Sequence, residues 1–305
     1  PKEDYVWMDK FTIRNLELYR STSSEGVSLI DIIDKTVSAM GSRLLKRWLA
    51  FPLKSKYKIK QRLDTVSHLK EHPSLQNDIR SSLKQVNDLE RLVSKIATQK
   101  INPREILQLK HSLDSIQDCM ELLKNSGFDT LVAISDLLNP CDVLRDKIDS
   151  SISDEPPVNI LKGNTIKTGY SDELDEYRKI AFSGHDYLDE MLQSESEHTG
   201  IPSLKIGSNN VYGYYFEVRH THKDKVPSDW TRKQTLVNAE RYITQELKIY
   251  EEKILSAEEK ITILEQSLFQ ELVIWIQDYI KIIQRNAFQI AQLDCLSGFA
   301  QLALE

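Results

Sequence analysis

Residues 233–297 read KQTLVNAERYITQELKIYEEKILSAEEKITILEQSLFQELVIWIQDYIKIIQRNAFQIAQLDCLS, a run without a single Gly or Pro. Those two residues are the strongest local helix breakers, so their absence predicts a helix along the whole run. Apolar residues recur at Ile243, Leu247, Tyr250, Ile254, Ala257, Ile261, Leu264, Leu268, Leu272, Ile276, Tyr279, Ile283, Ala287, Ile290 and Leu293. Their steps are mostly alternating fours and threes, a heptad pattern. At about 1.5 Å per residue, roughly 60 residues make one helix, or two nearly collinear ones, about 90 Å long. A stripe so narrow needs a partner helix along most of its length.

The partner lies upstream. Tyr170, Leu174, Tyr177, Ala181, Leu188 and Met191 step by fours, threes and one seven. This predicts a first long helix at about 170–196, antiparallel to the second. Between the two, residues 200–234 change character. Thr199-Gly200-Ile201-Pro202 breaks the first helix; 204–207 reads as a strand, Ser208-Asn209-Asn210 as a turn, and 211–220 as a second strand. Tyr212, Tyr214, Phe216 and Val218 alternate on one face of that strand, with Tyr215, Glu217 and Arg219 on the other. Pro227-Ser228-Asp229-Trp230 is a further loop before the return helix. A small β module carried by a helix pair is the simplest reading.

Upstream of residue 160 the pattern is of shorter helices. Residues 1–20 suggest an extended lead-in. Ser28-Leu29-Ile30-Asp31 resembles a capping box. Residues 40–49 form an amphipathic turn series ended by Pro52, with Leu44, Leu45, Trp48 and Leu49 on one face. Helices are expected at 56–72, 74–97, 103–125, 128–138 and 141–152. Asn102-Pro103-Arg104-Glu105 is a clear start signal, and Asn139-Pro140 a clear stop. Together they predict a compact helical hub.

Composition narrows the function classes. Of 305 residues, 40% are apolar, 10 are Gly and 9 are Pro, as in an ordered helical protein. Cys119, Cys141 and Cys295 are widely spaced, with no zinc or redox motif, and read as buried apolar residues in a reducing compartment. No apolar run approaches a membrane span. No phosphate loop, nucleophile elbow or metal-ligand spacing is present, and Glu251, Glu252, Glu258 and Glu259 of the long helix lie outside its stripe and read as solvent-facing. The residues therefore point away from an enzyme and from a resident cofactor.

What stands out is charge. The whole chain carries −6, yet 200–235 holds Lys205, Arg219, Lys223, Lys225, Arg232 and Lys233 against only Glu217, Asp224 and Asp229. With turn amides and hydroxyls nearby, this is a kit for gripping phosphates without reading bases. A merely solvated hairpin has the same composition. A second basic run, Arg43, Lys46, Arg47, Lys54, Lys56, Lys58, Lys60 and Arg62, has no acid inside it. It reads more simply as a wet helix face. The aromatic cluster around Tyr214 reads as the module's own core, with base stacking as the alternative.

The motif series resembles the MutS family of DNA mismatch-repair proteins. Arg14-Asn15-Leu16-Glu17-Leu18, the 40–49 motif (Met40-Gly41-Ser42-Arg43), Gly169-Tyr170, Tyr212-Gly213-Tyr214-Tyr215, Arg232-Lys233-Gln234-Thr235-Leu236 and Asn238-Ala239-Glu240-Arg241-Tyr242 follow the family's order over nearly the whole chain. The resemblance implies a mainly α fold: a multi-helical core with a long antiparallel two-helix lever, interrupted by a small, mostly β clamp domain. It divides the chain into core and lever at 1–177, clamp at 178–235, and the returning core and lever at 236–305. It further implies that the clamp lies across the backbone of double-stranded DNA. The contacts would come from Lys205, Ser208, Asn209, Asn210, Tyr212, Lys225, Ser228, Trp230, Arg232, Lys233 and Gln234. Asp229 stands where the family has Asn, so that contact would be lost. The family's mismatch reader and its ATPase, with ATP and Mg, are expected to lie outside this stretch. The expected role is then mechanical: to hold duplex and couple the grip to the ATPase. The family also implies a homodimer at full length, other mismatch-repair proteins as partners, and a bacterial cytoplasmic, nucleoid-associated setting. Two other readings share the heptads: a structural coiled coil with a protein-binding tip, and the same lever in a relative acting in recombination.

Overall fold

The computed structural model describes residues 4–209, 211 and 213–305, excepting the side chains of 183–186. The fold is mainly α with one small antiparallel sheet, in two compact units: 1–159 with 270–305, and 160–269.

The first unit opens on an extended segment bridged to a later one, Val6 N donating to Pro52 O and Lys54 N to Asp4 O. Its helices are α1 Lys10–Asn15, α2 Leu29–Ile33, α3 Ala39–Ala50, α4 Lys56–Glu71, α5 Pro73–Gln85, α6 Leu89–Ala97, α7 Pro103–Asn125, α8 Asp129–Leu137 and α9 Asp142–Ser151. Helix α7 starts as its sequence dictates: Asn102 Oδ1 accepts from Glu105 N, Glu105 accepts from Asn102 N, and Pro103 takes a position needing no N–H donor. The single helix expected at 74–97 is two helices. Asp88 caps a new start, accepting from Arg91 N, and holds Arg43 of α3 through both carboxylate oxygens. A cap and an ion pair on one side chain favour the break over a continuous helix.

The unit is built around α12, Ile280–Leu302. Ile283, Ala287, Ile290 and Leu293 of the heptad stripe are buried, but so are Asn286, Gln289, Asp294 and Ser297. A helix covered on that many sides must satisfy its polar groups internally. Asn286 does so by donating to Asn139 O and accepting from Asn139 N.

The second unit holds α10 Asp172–Thr199, four strands and most of α11 Gln245–Ile276. Along the antiparallel pair, Leu174, Leu188, Met191, Leu247, Ile254 and Ala257 are buried. Glu265 of α11 is fully buried and pairs with Arg178 of α10, whose guanidinium also donates to Ile166 O at 2.7 Å. The strands are β1 Lys205–Asn209, β2 Gly213–Arg219, β3 Thr231–Thr235 and β4 Ala239–Ile243, in sheet order β1-β2-β4-β3.

This corrects the expectation that the return helix begins near residue 233 and occupies everything from 236. The stretch 231–243 is a β-hairpin, and α11 starts only at Gln245, with Thr244 Oγ1 accepting from Leu247 N. The chain turns at 236–239, where Leu236 N donates to Ala239 O. Pairing of β4 with β2 satisfies backbone groups that a frayed first helical turn would leave open. At the other end, α11 and α12 are separated by a 3-10 turn, Gln277–Tyr279.

Candidate nucleic-acid interface

The sheet's pleat sorts its residues into two faces. Phe216, Val218 and Tyr242 face inward with Leu204, Ile201 and Trp230, against Leu188 and Met191 of α10 and Leu247 and Ile254 of α11. Phe216 and Trp230 stack with centroids 4.7 Å apart. Of the aromatic cluster, Phe216 is core and Tyr214 packs against it, while Tyr215 lies on the other face.

The outer face is polar and ordered. Register places Lys205 opposite Glu217, Glu217 opposite Arg241, and Arg241 opposite Gln234, one row across all four strands. Arg241 Nε donates to Glu217 Oε2 at 3.3 Å and Nη1 to Gln234 Oε1 at 2.8 Å. Its guanidinium lies 4.3 Å over the Tyr215 ring. Tyr215 in turn covers Gly207 on the neighbouring strand, where a Cβ would meet the phenol oxygen at 2.8 Å. Glycine is needed there for that close approach.

The module's cations divide into two sets. Lys205, Arg219 and Lys233 are exposed, and among the described residues no carboxylate pairs with them. Arg219 shares the outer face with Lys205 by strand alternation. Lys233 sits at the bulge between Arg232 and Gln234. Lys223 and Arg232 instead converge on Glu240, at 3.0 and 3.4 Å, while Tyr242 OH donates to its second oxygen. Glu240 is only 2% exposed, and these donors hold its carboxyl down at about 2.

The remaining expected contacts fall as follows. Ser208 and Ser228 are exposed. Asn209 Oδ1 accepts from Val211 N, shaping the β1–β2 turn. Lys225 Nζ donates to Gly200 O at 2.8 Å, tying its segment to the end of α10. Trp230 is buried, so its indole seats the loop rather than meeting a ligand. Gln234 is held by Arg241. Asn210 and Tyr212 lie outside the described residues. Asp229 is exposed and lines a cleft with Lys233 and Lys248. His220 Nε2 is hydrogen-bonded to Leu236 O. Arg219, Glu240 and Arg241 were missing from the expected set. The sequence signal for Arg219 was its alternation with Glu217; the other two become visible only once the last two strands are known.

The second basic run behaves differently. Arg43 is committed to Asp88 and Glu90, Arg62 lies 3.4 Å over the Trp48 ring, and Lys58 pairs with Asp4.

The family model for MutS domain III matches residues 11–300. The DNA mismatch repair protein MutS of Christiangramia forsetii is 60% identical over 99% of this chain and 35% of its own length. Its counterpart in Flavobacterium johnsoniae is 57% identical over 100% of the chain and 35% of its length. That of Phocaeicola vulgatus is 53% identical with the same coverage. The chain spans about a third of the length of these relatives.

Proposed function

The chain belongs to the MutS family, matching its domain III, and from that premise we propose that its four-stranded module is a clamp holding duplex DNA by the sugar-phosphate backbone. The observation that carries this reading is the exposed set Lys205, Arg219 and Lys233, paired with no carboxylate among the described residues, on one outer face and edge of a single sheet, in a chain of net charge −6. Exposed cations, beside a Tyr215 ring already covered by Arg241, suit phosphate neutralisation rather than base readout. Ser208, Ser228 and the turn at Asn209 add neutral donors to the same module. The clamp of 178–235 is extended in this reading to the end of β4, and the α10–α11 pair is its lever.

The coupling role follows from continuity. Helix α11 leaves the sheet directly, so a load on β4 is passed into a helix of 32 residues. In the full-length protein this lever links the DNA grip to an ATPase that binds ATP and Mg, in a homodimer that meets other mismatch-repair proteins at the bacterial nucleoid. The chain's own part is binding and transmission, with no bond made or broken. Among the described residues no helix is long and apolar enough to cross a membrane.

The test is a fluorescence-anisotropy titration of labelled duplex across a salt series. Binding weakens steeply with salt, and Lys205→Ala and Lys233→Ala each lower the slope by about one unit. Slopes untouched by both changes contradict the assignment. Binding that favours a protein partner over duplex at low salt restores the coiled-coil reading.

A further inference from the structure

Glu240 is a buried carboxylate inside a module whose proposed work is to attract anions. On charge alone it is a defect, since it subtracts from the cationic surface. Its geometry says otherwise. Oε1 receives Lys223, from the 3-10 segment after β2, and Arg232, from edge strand β3. Oε2 receives Tyr242 OH from its own strand. Two cations distant in sequence are thereby drawn to one point. Neither is used up: their side chains remain 51% and 54% exposed. An ammonium has three donors and a guanidinium five, so each has more donors than its bond to Glu240 uses.

We propose that Glu240 is a positioning residue for the DNA grip, an internal stand-in for phosphate that gathers Lys223 and Arg232 into one preorganised cationic pair. This rests on the reading of the module as a DNA clamp. The physical reason is entropic. Long cationic side chains lose rotamer freedom when a ligand fixes them, and a built-in acceptor meets part of that cost before the ligand arrives. The carboxylate cancels one of the two charges, leaving the trio with one net positive charge and two oriented heads.

Preorganisation and simple charge summation predict opposite outcomes for Glu240→Gln. The substitution makes the module one unit more positive, so summation predicts tighter duplex binding. Preorganisation predicts binding weaker by about tenfold at fixed low salt, since two long side chains must then be ordered by the ligand itself. The experiment is a double-mutant cycle on the chain, with a labelled duplex as probe: Glu240→Gln alone, Lys223→Ala/Arg232→Ala, and all three together. The expected result is loss with Glu240→Gln alone and no further loss when both cations are already absent. Unchanged or tighter binding overturns the proposal. So does a loss of the same size in the background lacking both cations, which makes Glu240 a support of the sheet only. Should Glu240→Gln fail to fold, the single and paired Lys223→Ala and Arg232→Ala changes carry the test. Positions organised by one carboxylate lose less together than the sum of the singles, and strict additivity overturns the proposal. Lys205→Ala and Lys233→Ala in the same series separate the two claims. If they lower the salt slope while Glu240→Gln does nothing, only the positioning role fails. If they too change nothing, the clamp reading fails.

Discussion

Two buried carboxylates show how much a single side chain fixes here. Asp294 of α12 accepts from Val37 N at 2.9 Å, Ser38 N at 2.8 Å and Ser38 Oγ at 2.6 Å, tying α12 to the start of α3. Burial outweighs these bonds and pushes its carboxyl above the ordinary range. Gly41 leaves the room it needs: a Cβ there would lie 2.1 Å from Asp294 Oδ2. Gly41→Ala is expected to cost about 1–3 kcal/mol by overpacking, read as a lower urea midpoint at unchanged slope. Glu240 has the opposite sign. Its folded carboxyl lies at about 2 against an ordinary 4.5, because Tyr242, Lys223 and Arg232 favour the charged form. Its contribution is complete above about pH 4.5 and is lost as pH falls toward 2, where the folded carboxylate protonates. Asp294, raised rather than lowered, contributes in the other direction, its share declining as pH rises through its folded value. An acid titration followed at the Trp230 indole N–H signal therefore shows a loss of structure between about pH 4.5 and 2. Glu240→Gln flattens that dependence.

At the scale of elements, periodicity was a sound guide where packing is one-sided and failed where it is not. The heptad stripe marks Leu247, Ile254, Ala257, Leu272, Ile276 and Ile283, all buried. The first dozen residues of the same run, 233–244, hold the end of β3, a turn and β4. Leu236, Ala239 and Ile243 are spaced three and four apart, so a helix was the natural reading. What decided the matter was non-local: β4 pairs with β2, more than twenty residues upstream. The burial of polar Asn286 and Asp294 went unread for a related reason, since their partners at 37–38 and 139 are invisible to a local pattern. The α10–α11 pair supplies a prediction at this scale. Glu265, fully buried, accepts from Arg178 and from Thr165 N, pinning the 165–178 segment across both helices. Glu265→Ala leaves Arg178 without its main partner and costs about 3–5 kcal/mol, whereas Arg178→Met with Glu265→Leu costs less, the remaining loss coming from Thr165 N and Ile166 O left unpaired. Hydrogen exchange checks this: 163–178 and 261–268 lose protection in the single variant and regain it in the double.

For the whole molecule, the proposed clamp turns on the difference between two basic surfaces. Both were legible as composition, and the resemblance already placed the expected contacts in the module at 205–234. In the run at 43–62, Arg43 pairs with Asp88 and Glu90, Lys58 pairs with Asp4, and Arg62 lies over the Trp48 ring. The module at 205–243 keeps Lys205, Arg219 and Lys233 open and holds Lys223 and Arg232 half-exposed around one acid. The family was readable because its motifs follow one another along nearly the entire chain. The division of labour among the cations was not, because it depends on a strand order that brings β4 between β2 and β3. Hydrogen exchange of the chain with and without a duplex at low salt tests this most directly. The account predicts new protection confined to peptides within 205–243, with 43–62 exchanging as in the free protein. Protection at 43–62 with none in the sheet module would contradict it.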